Sequence, residues 1–130
     1  MGESLAGLFV LETYLDEPTL FSSYGAVRPS LWWDKEALSK RAAARLGKGQ
    51  EGRRLYLTVA NEGPEAEQAN ARVVAALSRR AKGWCYAPRT DLTHATIYHS
   101  VTPTLFQFLV MPKEAPDAAF GFVVRCAKRG

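Results

Sequence analysis

The chain has 130 residues, 47% hydrophobic and 23% charged, which suits one globular domain with a modest core and argues against a disordered chain. Seventeen Lys and Arg against thirteen Asp and Glu leave a net charge of +4. The basic residues, among them Lys40, Arg41, Arg45, Arg72, Arg79 and Arg80, are interspersed with acids along expected helices. That is the pattern of a solvated surface rather than a phosphate-binding stripe, so no nucleic acid partner is expected.

The amino terminus shows no basic-then-apolar leader, and no run approaches the roughly 18 apolar residues of a spanning helix, so no membrane association is expected. Cys85 and Cys126 are far apart and fit no zinc spacing, which predicts free thiols, a cytoplasmic protein, and no metal or cofactor.

In chain order, Leu5 to Leu15 is apolar nearly all round, as in a helix buried on most sides, and Asp16-Glu17-Pro18 ends it. Ser22 to Val27 reads as a short strand closed by Pro29. Asp34 can cap a helix over Lys35 to Leu46, with Leu38, Ala42 and Leu46 on one face and Gly47 as its stop. Arg54 to Ala60 is continuously apolar rather than alternating, which predicts a strand covered on both faces. A helix follows over Glu65 to Ala81, then a strand over Gly83 to Ala87 and a loop over Arg89 to Thr96. A last helix is expected over Pro103 to Val110, with Thr102 as its cap. This alternation predicts an α/β fold of three layers, a mainly parallel sheet flanked by helices.

Chemistry concentrates at the start. Gly2-Glu3-Ser4-Leu5-Ala6-Gly7 has the small residues and central serine of a G-x-S-x-G nucleophile elbow, though Ala6 stands where that motif has its second glycine. A serine nucleophile needs a base, and the base needs an acid to fix its tautomer. Glu62 follows the strongest strand and His94 lies in the loop after the last one, so serine, acid and histidine fall on the carboxyl edge of the sheet in that order. Glu65 and Asp91 are the other candidate acids. By itself Ser4 would be an ordinary helix cap, His94 a loop histidine, and His99 is read as structural. Trp32 and Trp33 either line a substrate pocket or pack their loop, and Arg28 either meets an anionic substrate group or faces water.

Gly2 to Phe9, Leu20-Phe21 leading into Pro29-Ser30-Leu31-Trp32-Trp33, Leu55 to Val59 and His94-Ala95-Thr96 together resemble the esterase family of α/β-hydrolases that includes enterochelin esterases and esterase D relatives. The likeness covers residues 2 to 110, so 1–110 is read as a partial α/β-hydrolase domain, the C-terminal half, and 111–130 as an extension. The resemblance implies a carboxylic-ester hydrolase with Ser4 as nucleophile, His94 as base and then acid, Glu62 as orienting acid, and a small-molecule ester as substrate.

Family members are longer, with earlier strands including the one that ends at the nucleophile. Of the oxyanion hole only the Leu5 N–H is expected here, and loss of one donor costs on the order of 100- to 1,000-fold. The alternative is an inactive α/β structural or interaction module. The expected open edge at Ser22 to Val27 would pair with another chain, and the apolar tail Phe120 to Cys126, a candidate strand, would patch exposed surface or mediate a homodimer.

Overall fold

The computed structural model describes residues 1–47, 49–110 and 124–130. Their elements are β1 (Gly2–Glu3), α1 (Leu5–Asp16), β2 (Ser23–Val27), α2 (Trp33–Arg45), β3 (Arg54–Thr58), α3 (Pro64–Arg80), β4 (Trp84–Tyr86), α4 (His94–Leu109) and β5 (Lys128–Arg129). The strands lie side by side in chain order. β1 to β4 are parallel, and β5 runs antiparallel to β4.

Three successive right-handed crossovers in one direction put α1, α2 and α3 on the same face. Leu11, Tyr14, Leu38, Ala42, Val73 and Leu77 accordingly share one core with Tyr24, Ala26, Leu55, Leu57 and Trp84. On the opposite face Ile97, Val101, Leu105 and Phe108 of α4 pack with Val27, Tyr56 and Cys85. Side chains alternate across a strand, so Leu55 and Leu57 enter the first core and Tyr56 the second. Two covered faces explain why β3 reads as an unbroken apolar run. The three-layer, mainly parallel architecture is the one the sequence predicts.

Four local expectations are corrected. Gly2 and Glu3 are themselves a strand, pairing with Ala26 and Val27, so the edge of β2 is partly covered and two residues of strand lead into Ser4. The last helix begins at His94 rather than Pro103. Thr93 and Thr96 form a reciprocal capping box there, with threonine in the place usually held by Glu or Gln, so its signature is faint in sequence. Thr102 is no cap: its hydroxyl donates back to the Tyr98 carbonyl at 2.6 Å. Asp34 lies within the first turn of α2, where Asp34, Lys35 and Glu36 have φ of 46°, 54° and 65°, instead of preceding it.

The fourth correction concerns the cysteines. Cys85 and Cys126 form a disulfide, with Cα atoms 5.3 Å apart, so the predicted free thiols are absent. Topology brings the pair together: β5 returns beside β4 and carries the segment before it alongside Cys85. The cytoplasmic expectation rested on reduced cysteines and loses that support. Of the apolar tail over 120–126, the first four residues lie outside the described residues, and 124–126 are not in a strand. Among the described residues no helix is long and apolar enough to cross a membrane.

Candidate active site

The turn from β1 into α1 is tight because two glycines permit it. A Cβ on Gly2 would stand 2.5 Å from the Ala6 carbonyl oxygen, and one on Gly7 would stand 2.7 Å from that of Val27. Both are closer than real Cβ contacts allow. The close approach assigned by the motif to its second glycine therefore falls on Gly7, and Ala6 is tolerated.

Between them Ser4 adopts φ 57° and ψ −121°, a conformation that costs a non-glycine residue on the order of 1–3 kcal/mol. Backbone bonds hold it there. The Ser4 N–H donates to Val27 O at 3.1 Å, and the Ser4 carbonyl accepts from Leu8 N–H at 2.9 Å and Ser30 N–H at 3.1 Å. The Ser4 side chain makes no capping bond to α1, so helix capping does not account for the residue. Its Oγ lies 3.1 Å from Oγ of Ser30. Leu5 opens the helix, where an N–H has no intrahelical acceptor.

The segment after β2 links this turn to the other candidates. Arg28 ion-pairs through Nε with Oε1 of Glu62, both side chains being largely buried, and its Nη1 lies 2.5 Å from Nδ1 of His94. Burial pushes the Glu62 carboxyl above its ordinary value, against the opposing pull of Arg28 and His94. Glu62 and His94 are therefore brought to one cluster, with the guanidinium between them. Ser4 contacts Ser30, two residues beyond Arg28 in the chain. Among the described residues, the hydrogen bond of Ser4 Oγ is to Ser30 and not to an imidazole nitrogen.

The alternative acids are placed differently. Asp91 is exposed and held in a two-pronged pair by Arg89 at 2.8 and 2.6 Å, a bond that lowers its carboxyl below the ordinary value. Glu65 lies in the exposed first turn of α3. His99 stacks edge-on against Tyr98 and is exposed.

Trp32 and Trp33 meet edge to face at 5.7 Å and are both more than half exposed, so they do not pack their loop into the core. Trp33 lines a cavity of about 210 Å³ with Leu5, Leu8 and Phe9, directly beside the serine turn, whereas Trp32 does not line it. Leu5 and Phe9 are themselves exposed, at 50% and 67%.

The roles of Ser30 and Arg28 were the least visible in sequence. The one available signal was position: residues that follow a strand directly at the carboxyl edge of a parallel sheet face the site.

The parallel sheet, with its strained serine turn after the first strand, shares its fold with part of two hydrolases of known structure. The enterobactin and salmochelin hydrolase IroE shares it with a TM-score of 0.68 at 21% identity, over 84% of this chain and 44% of that one. The siderophore hydrolase EstB from Aspergillus nidulans does so with a TM-score of 0.65 at 20% identity, over 88% and 49%. The chain thus spans about half the length of either structure, and at these identities the likeness is one of fold. No protein-family model matches the sequence, nor does any curated protein.

Proposed function

We propose that this chain carries the nucleophile, base and acid of a serine hydrolase of carboxylic esters. The observation that carries the reading is the strained backbone of Ser4, whose hydroxyl is left unused by the helix it precedes. Strain of this kind persists at sites where a side chain must be presented outward.

In the reaction Ser4 Oγ attacks the ester carbonyl and His94 takes its proton, while the Leu5 N–H donates to the oxyanion. Collapse expels the alcohol, which receives the proton from His94, and leaves an acyl group on Ser4. Water activated by His94 then releases the acid. Glu62 supplies the negative charge that stabilises the imidazolium. Trp33, Leu5 and Phe9 offer apolar contacts to one arm of the ester in a cavity that Glu12, Asp34 and Arg41 also line. The names of the two structural neighbours make siderophore esters natural test substrates.

A second reading is an inactive interaction module that dimerises. The two-residue β1 at the sheet edge and the exposed Leu5 and Phe9 beside it support that reading. A concentration-dependent dimer in sedimentation, together with no turnover, is what it expects.

The discriminating assay is hydrolysis of p-nitrophenyl butyrate by the 130-residue chain and by Ser4→Ala and His94→Ala. Hydrolase function predicts a loss of about 100-fold or more in each variant. Equal rates in all three would overturn it.

A further inference from the structure

Arg28 follows β2 with φ 46°, in the left-handed region that costs a residue bearing a Cβ roughly 1–2 kcal/mol. Its N–H donates to Thr58 O at 2.7 Å, which fixes the segment across the end of β3. From there the guanidinium reaches Glu62 with one nitrogen and His94 with another.

The contact with His94 has a chemical consequence. A guanidinium has donors only, so Nδ1 of His94 accepts, and the neutral ring carries its proton on Nε2. A histidine that relieves a serine of its proton needs the reverse, with Nδ1–H turned to a carboxylate and a lone pair on Nε2. The carboxylate that would receive Nδ1–H is Glu62, and Arg28 holds that too.

We propose that Arg28 is a latch opened by the substrate: it keeps His94 in the unproductive tautomer until an anionic group on the ester, such as a carboxylate, draws the guanidinium away. Glu62 then accepts from Nδ1–H, and Nε2 is left bare for the Ser4 proton. The exchange has no net proton change, since Nε2 gives one proton to water as Nδ1 takes one. Burial disfavours the charge on Glu62, so a substrate anion competes with it on favourable terms, and the net charge of +4 draws anions to the chain. The substrate class is an ester with a negative charge near its scissile bond. This part rests on the hydrolase reading above.

The experiment uses the full chain with ¹⁵N-labelled histidine at about pH 8, where an ordinary imidazole is neutral. Nitrogen–proton correlation spectra of the free protein are expected to show His94 with its proton on Nε2, His99 serving as the internal reference. In Arg28→Met the proton moves to Nδ1. Benzoate at constant ionic strength produces the same change in the wild type, and benzyl alcohol does not. In turnover, Arg28→Met hydrolyses neutral p-nitrophenyl butyrate about tenfold faster than the wild type, and it loses the wild-type preference for mono-p-nitrophenyl glutarate. Arg28→Gln repeats each measurement should the Met variant fail to fold.

A His94 that carries its proton on Nδ1 in the free wild type, or a tautomer indifferent to both variants, overturns the latch. If instead Ser4→Ala hydrolyses esters as fast as the wild type, the hydrolase reading fails and the assignment to an anionic ester fails with it. The histidine spectra still decide whether Arg28 sets the tautomer.

Discussion

The hydroxyl oxygens of Ser4 and Ser30 lie 3.1 Å apart, and the Ser30 N–H also holds the Ser4 carbonyl at 3.1 Å. Ser30 is buried, so its hydroxyl has a fixed position from which to orient Ser4 Oγ. Replacing it with alanine removes one neutral hydrogen bond, worth about 1 kcal/mol. Ser30→Ala is expected to lower kcat about fivefold with KM little changed, read by steady-state hydrolysis of p-nitrophenyl butyrate.

Glu62 shows the opposite sign in stability and in activity. Its carboxyl is raised in the folded protein, first by burial. The folded state therefore binds more protons than the unfolded one between the model-peptide value of 4.5 and the raised value, and this group's stabilising contribution is lost as pH rises through that window. Glu62→Gln keeps an acceptor beside Arg28 and removes the buried charge. Its stability at pH 7 in urea titrations should stay within about 1 kcal/mol of the wild type or exceed it, while turnover falls on the order of 100-fold.

Tyr14 predicts behaviour in alkali. The ring is wholly buried, its hydroxyl has no hydrogen-bond partner among the described residues, and burial pushes its pKa up to about 12. The folded state holds the proton after the unfolded chain has lost it, so stability falls between about pH 10 and 12, by roughly 2–3 kcal/mol from this residue. Tyr14→Phe should match or exceed the wild-type melting temperature at pH 7 and show a shallower decline above pH 10.

The Cys85–Cys126 disulfide closes a loop with a sequence separation of 41. Chain-entropy arguments give such a cross-link about 3–4 kcal/mol. Thermal unfolding with and without a phosphine reductant should show a clear drop in melting temperature on reduction. The double serine variant should unfold at the reduced temperature whether or not reductant is present.

The sheet and its helices were legible because their signals are periodic and local. The unbroken apolar run of β3 announced two covered faces, and the four-residue spacing of Leu38, Ala42 and Leu46 announced α2. Features that depend on chain segments meeting at a distance were hidden. β1 is two residues long and exists through its pairing with Ala26 and Val27, and the disulfide forms because β5 folds back beside β4. Pro103 suggested a helix start, yet tertiary packing of Ile97 and Val101 carries the helix through it from His94. In the site, Ser4, Glu62 and His94 could be named from position along the chain. The guanidinium between Glu62 and His94 could not, because nothing local to Arg28 says which way a left-handed backbone will aim it.

The central claim, that Ser4 is a nucleophile, is tested most directly by trapping its covalent product. The intact chain treated with a fluorophosphonate and analysed by mass spectrometry is expected to gain a single phosphonyl group, mapped by peptide fragmentation to Ser4, with no addition in Ser4→Ala and slow addition in His94→Ala. An unmodified wild-type chain, or label distributed over other serines and retained in Ser4→Ala, would contradict it.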